Sequence, residues 1–191
     1  MLRKDRVLYM EDEKMGNETI VIYNSQTGFT KRYAQCIGED LECECVELGD
    51  ASKLDFDKYS TIIFGGWALA GSVSKLKWFK NNMKKWNDKR LAVFCVGGSP
   101  NDNPEIEVAM KKWFTEEEHK RVSIFYCQGG FNYEKMSAPS KAMMKMFVGA
   151  LKAKKDKTEE EKIMVEMIAK SYDISDKKYI EPIVKWAKGE E

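Results

Sequence analysis

At 191 residues and 43% hydrophobic content, the chain is long enough for one domain with a sizeable core and short for two. Its 32 basic and 31 acidic residues nearly cancel, so no mean field draws it to nucleic acid or to strongly acidic partners. No apolar run approaches the roughly 18 residues of a membrane span and the first residues do not lead into a signal-peptide core, so a cytoplasmic location is expected.

Residues 1–18 are charge-rich, with one apolar patch at Val7, Leu8, Tyr9 and Met10, and are expected to be a flexible N-terminal extension of a single domain over 19–191. From Thr19 onward, strand and helix patterns alternate, which argues for a parallel sheet covered on both faces. Ile20 to Tyr23 reads as the first strand. It stops in Asn24-Ser25-Gln26-Thr27-Gly28-Phe29-Thr30, after which Tyr33, Ile37 and Leu41 recur at helical spacing. A turn from a buried strand into a helix gathers unpaired N–H groups and the positive helix end where Ser25, Thr27 and Thr30 offer hydroxyls, which makes a cradle for a phosphate dianion. The loop ends in no Lys, as a nucleoside-triphosphate loop would require, and it lacks the three-glycine dinucleotide fingerprint.

A short second strand is expected near Cys45 to Leu48. The third, Thr61 to Phe64, ends at Gly65-Gly66-Trp67, and Leu76, Phe79, Met83 and Trp86 then mark an amphipathic helix. Leu91 to Val96 is the fourth strand. Asn103-Pro104 caps a helix carrying Ile106, Ala109, Met110 and Trp113, and Val122 to Cys127 is the fifth strand. Strands four and five both end in Cys-x-Gly-Gly, which suggests that they lie side by side. In a doubly wound domain the ligand sits beyond the carboxyl ends of the strands, so the phosphate loop, Gly65-Gly66-Trp67 and Gly97-Gly98-Ser99-Pro100 are expected to converge on one site.

The loop Ser25-x-Thr27-Gly28-x-Thr30, set between a strand and a helix, resembles the Ser/Thr-x-Thr-Gly-x-Thr loop with which the flavodoxin family binds the 5′-phosphate of FMN. The resemblance covers roughly residues 19–188. It implies an α/β three-layer sandwich whose five-stranded parallel sheet has the order 2-1-3-4-5, with FMN as cofactor. It also implies that Ser25, Gln26, Thr27, Gly28, Phe29 and Thr30 hold the phosphate, and that Gly66, Trp67, Ala68 and Leu69 with Gly97, Gly98, Ser99 and Asn101 flank the isoalloxazine ring. The third strand and its loop, Ile63 to Gly71, look most similar to the branch that includes menaquinone-dependent protoporphyrinogen dehydrogenase. That branch implies electron transfer between the flavin and a flat organic substrate such as a quinone or porphyrinogen. The alternative is a one-electron carrier that docks to redox proteins; carriers of this family are typically acidic around the flavin, which the net charge of +1 does not favour. A receiver-type signalling domain of the same topology fails, because the strand ends carry hydroxyls and glycines in place of an acidic cluster.

Trp67 reads either as a ring stacked on the flavin or as an anchor of its loop to the sheet. Its two preceding glycines would allow close approach to a ligand and a peptide flip. The loop after strand four has no aromatic residue, which leaves one flavin face open to a substrate ring or to Phe131 or Tyr133. The five cysteines, Cys36, Cys43, Cys45, Cys95 and Cys127, form no C-x-x-C pair and accompany a single His, so neither a disulfide framework nor a zinc site is indicated. Cys95 and Cys127 read as packed thiols, since no basic group stands near to activate them. His119 lies in a charged helix end and is given no catalytic role.

Between strand five and the terminal helix, residues 131–157 form a helical insertion holding Lys135, Lys141, Lys145, Lys152, Lys154, Lys155 and Lys157 against Glu134 and Asp156. Met143, Met146, Phe147, Ala150 and Leu151 recur there at helical spacing. Two readings stand: a lid packed on the domain, or an interfacial helix over 139–155 that meets a partner or touches a membrane peripherally. Thr158-x-x-Glu161 reads as a capping box for the next helix. Tyr179, Ile180, Ile183, Val184 and Ala187 mark the terminal one, with Pro182 near its first turn.

Overall fold

The computed structural model describes residues 18–190; the expected N-terminal extension, but for Glu18, lies outside the described residues. The main sheet is built from β1 (Thr19–Tyr23), β2 (Glu44–Glu47), β3 (Thr61–Leu69), β5 (Arg90–Gly97) and β6 (Val122–Gln128). All pair in parallel, in the order β2-β1-β3-β5-β6, which is the order 2-1-3-4-5 of the five expected strands. A short β4 (Ser72–Val73) folds back antiparallel on the end of β3.

Burial on both faces explains why β1, β3 and β5 are nearly continuous apolar runs. Alternate residues feed two separate cores. On one face Val21, Ile63, Ala92, Phe94 and Val96 meet Tyr33, Ala34 and Ile37 of α1 (Phe29–Asp40) and Ile183, Trp186 and Ala187 of α7 (Glu181–Lys188). On the other, Ile20, Ile22, Ile62, Phe64, Leu91 and Val93 meet Phe79 and Met83 of α2 (Leu76–Met83). Trp86 and Trp113 belong to this second core, as their helical spacing suggests, but α2 ends at Met83 and α3 (Pro104–Met110) ends before Trp113. Both rings reach the core from turns. A short helix α4 (Glu116–His119) precedes β6, and its His119 packs edge-on against Phe114.

Beyond β6 the chain makes an excursion that begins and ends in a two-stranded ladder of β7 (Gly130–Phe131) and β8 (Tyr172–Asp173), an element the sequence pattern does not announce. The ladder closes when the Ile174 N–H donates to the Gly129 carbonyl at 2.7 Å. Within it, α5 (Ala138–Ala153) is capped by Ser137, and α6 (Glu159–Ile168) opens with the expected Thr158/Glu161 capping box. Helix α5 buries none of its residues fully. Met144, Val148 and Leu151 are half-buried, while the stripe of Met143, Met146, Phe147 and Ala150 faces outward, with Met146 70% and Phe147 48% exposed. Among the described residues no helix is long and apolar enough to cross a membrane.

Candidate functional site

The turn after β1 is shaped by one backbone conformation. Gly28 adopts φ 102°, a region that L side chains avoid, and from there the chain enters α1 directly. The Ser25 hydroxyl accepts from the Gly28 N–H at 3.2 Å and keeps its own proton to donate. Helix α1 has no side-chain cap and no acidic residue in its first turn, so its leading N–H groups point into the loop without an internal partner. Thr30 is 1% exposed on that first turn, and Phe29 packs beneath. This donor set, backbone N–H groups at a positive helix end with the hydroxyls of Ser25, Thr27 and Thr30 close by, fits a phosphate monoester.

The loop is tied to the end of β3 by a residue that sequence reasoning missed. The buried Ser74 hydroxyl accepts from Asn24 Nδ2 and from the Trp67 N–H, both at 3.0 Å, while the Ser74 N–H donates to the Trp67 carbonyl at 2.8 Å. Asn24 also donates its backbone N–H to the Gly65 carbonyl at 2.8 Å. A Ser between Val73 and Lys75 gives no sequence signal of this role.

The third strand, expected to end at Gly65-Gly66-Trp67, runs on to Leu69. Gly66, Trp67, Ala68 and Leu69 are therefore strand residues, and Ala68 and Leu69 pair with Val73 and Ser72. The turn between uses Ala70 and Gly71, both at positive φ, as a two-residue hairpin requires. The Trp113 indole N–H donates to the Gly71 carbonyl at 2.8 Å and pins the tip. Both glycines make room for packed side chains. A Cβ on Gly65 would meet the Phe94 ring at 2.1 Å, and one on Gly66 would meet Val73 Cγ1 at 2.5 Å. The N–H of the Gly66–Trp67 peptide donates to Ser74 Oγ, which ties it to the hairpin. Trp67 itself is half-buried and paired in register with Val96.

The loop after β5 is braced from behind. Gly98 leaves room for Phe131 and Tyr172, and the Tyr172 hydroxyl donates to the Gly98 carbonyl at 2.6 Å. The Ser99 carbonyl accepts from the Tyr126 hydroxyl at 2.8 Å, and Gly97 clears the same phenol. Burial pushes both phenols well above their ordinary pKa, so they stay neutral donors. Phe131 thus stands behind the loop, and Tyr133 is committed to the Ile168 carbonyl at 2.5 Å. Asn101 is engaged with Gln128, its N–H donating to Oε1 at 2.9 Å and its Oδ1 accepting from the Gln128 N–H at 3.0 Å. It borders a separate hollow of about 550 Å³ along the outer edge of β6.

A cleft of about 430 Å³ opens beside the Ser25–Thr30 loop, lined by Thr27, Gly28, Phe29 and Arg32 and by Phe131, Lys135 and Tyr172 from the excursion after β6. Arg32 Nη1 donates to Asp173 Oδ2 at 2.9 Å and to Ser175 Oγ at 2.7 Å. Partial burial works to raise the Asp173 carboxyl, but hydrogen bonds from Ser175 and Arg32 outweigh it and hold the group below the usual carboxylate range. Cys95 and Cys127 are both buried, and burial drives both thiols up, Cys127 to about 12 and Cys95 further. They are packing residues.

Among similar proteins, Flavodoxin FldP of Pseudomonas aeruginosa is 26% identical over 110 residues, covering 49% of this chain and 58% of that protein, so the match spans under two thirds of its length. The flavodoxin-like domain-containing protein BilS of Clostridioides difficile is 25% identical over 136 residues, covering 68% of this chain and 75% of that one. Among solved structures, a flavoprotein in complex with FMN from Lactobacillus acidophilus aligns with a TM-score of 0.42 at 15% identity, over 59% of this chain and 93% of that one. An archaeal flavodoxin aligns at 0.35 and 19%, over 57% and 84%. The family model for the flavodoxin domain matches residues 20–161, well over half of the sequence, and the chain belongs to the flavodoxin-like family.

Proposed function

We propose that the chain binds FMN and acts as an oxidoreductase that passes electrons between the flavin and a small planar organic substrate such as a quinone or porphyrinogen. The observation that carries the cofactor reading is the uncapped first turn of α1 behind Gly28, with Thr27 and Thr30 beside it. FMN, when bound, would supply the one- and two-electron redox chemistry. The chain's own residues would bind and orient it. Backbone N–H groups of Phe29 and Thr30 and the hydroxyls of Ser25, Thr27 and Thr30 would hold the phosphate. Trp67 and the Gly97–Ser99 backbone would flank the ring, with Tyr126 and Tyr172 keeping that backbone in place. The absence of an aromatic residue in the loop after β5 supports an open flavin face for a substrate ring.

A second reading, an electron carrier docking to redox proteins, is favoured by the outward stripe on α5. Titration of the apoprotein with FMN, riboflavin and FAD tests the cofactor. Charge-assisted hydrogen bonds are worth about 1.5–3 kcal/mol each, so Thr27→Ala with Thr30→Ala should cost FMN affinity on the order of tenfold or more and leave riboflavin unchanged. Equal FMN affinity in the double variant would overturn the phosphate-loop assignment. Steady-state assays of the loaded protein with quinones, porphyrinogens and nicotinamide donors then separate the readings: turnover of small molecules supports the enzyme, and reduction only by a protein partner supports the carrier.

A further inference from the structure

The phosphate loop carries no charged residue of its own from Ser25 to Thr30. A phosphate monoester brings roughly −1.5 to −2 charges near neutral pH, and a helix N-terminus answers with only about +0.5. We propose that Lys135, delivered by the excursion after β6, supplies the missing counter-charge and is a binding residue for the cofactor phosphate; the proposal rests on the FMN reading above.

Three observations carry it. First, Lys135 and the loop residues Thr27 and Gly28 line the same cleft of about 430 Å³. Second, the backbone on which Lys135 rides is fixed beside the loop. Its N–H donates to Asn132 Oδ1 at 3.0 Å, the neighbouring Tyr133 N–H donates to Ser171 Oγ at 3.0 Å, and two residues on, Ser137 Oγ accepts from Gln26 Nε2 of the loop at 3.2 Å. Third, the charges in the cleft do not cancel. Arg32 lies over the Phe29 ring and is offset by Asp173, whereas the Lys135 ammonium forms no ion pair among the described residues. The lining of the cleft thus combines an unpaired cation with the turn that leads into α1. Because the site is open to solvent, salt should screen the attraction.

The test compares FMN and riboflavin binding, by flavin fluorescence, at low and high salt for wild type, Lys135→Gln and Lys135→Arg. The proposal expects Lys135→Gln to weaken FMN about three- to tenfold at low salt, less at high salt, with riboflavin unchanged and Lys135→Arg close to wild type. Unchanged FMN affinity in Lys135→Gln overturns the assignment and leaves the flavin reading intact. Equal weakening of FMN and riboflavin also overturns it, since a packing role would not discriminate the phosphate. Failure of the wild type to bind FMN overturns both.

Discussion

The Tyr172 hydroxyl donates to the Gly98 carbonyl at 2.6 Å and stands 2.7 Å from where a Cβ on residue 98 would project. Seventy-four positions apart in sequence, the two residues join the far end of the excursion to the loop after β5. Phe131, paired with Tyr172 across β7 and β8, fills the rest of the space at 2.3 Å. Tyr172→Phe removes one hydrogen bond and leaves the carbonyl unmet, a loss of about 1 kcal/mol in urea unfolding. Gly98→Ala must displace two braced rings and should cost about 1–3 kcal/mol. If Gly98→Ala melts with wild type, the rings are not the brace described.

Trp67→Ala should weaken FMN binding and relieve quenching of flavin fluorescence, because stacking of the indole would be worth about 0.5–1.5 kcal/mol beyond area burial. The backbone hydrogen bonds to Ser74 do not depend on the side chain, so the hairpin should persist in the variant. Fluorescence as quenched as in wild type would mean that another group meets the ring, and that Trp67 only anchors the hairpin.

What the sequence could announce was set by local rules. The apolar runs of β1, β3 and β5 and the hydroxyl-rich turn at Ser25–Thr30 are local signals, and so is the Thr158/Glu161 box. Ser74 and Tyr172 carry no such signal, because each bonds a partner far along the chain, Asn24 and Gly98, and Lys135 shares a cleft with Thr27 only in the folded chain. The packing at two glycines is hidden for a related reason. Gly65 and Gly66 clear Phe94 and Val73, whose positions only the folded sheet defines. The same holds for α5. Periodicity places Met143, Met146 and Phe147 on one face without saying whether that face meets protein.

Alkaline pH should destabilise the fold through its thiols. Burial raises Cys43 and Cys45 to about 11, Cys127 to about 12 and Cys95 further. In the unfolded chain these groups ionise near the ordinary value of about 8.5, so above that pH the folded state binds more protons and stability falls as pH rises. The urea midpoint should be flat through the thiols' neutral range and then decline steadily from about pH 8.5, with Cys127→Ser declining less steeply. A midpoint unchanged at pH 10 would contradict the burial of these thiols, as would alkylation of Cys95 in the native protein at pH 8.

The outward stripe on α5 makes opposite demands of its two rival readings. A packed lid requires Phe147 to hold the domain together, yet Phe147 is 48% exposed and Met146 70% exposed, so Phe147→Ala should cost no more than about 0.5–1 kcal/mol, near the range of surface changes. An interfacial helix requires these residues to enter an apolar phase, with the lysines of the same helix drawing it to an anionic surface. At about 100° per residue, Lys145 and Lys152 lie on the side away from Met143 and Met146, so the stripe would lead the contact and the lysines would add long-range attraction. That attraction is worth about 1 kcal/mol per Lys near an anionic surface and fades within a Debye length. On the interfacial reading, sedimentation with anionic vesicles should show binding that weakens with salt, falls on Phe147→Ala, and loses its salt sensitivity when Lys141, Lys145 and Lys152 become Gln. Equal binding to neutral vesicles, or none to either, would leave the stripe to a protein partner and end the membrane reading.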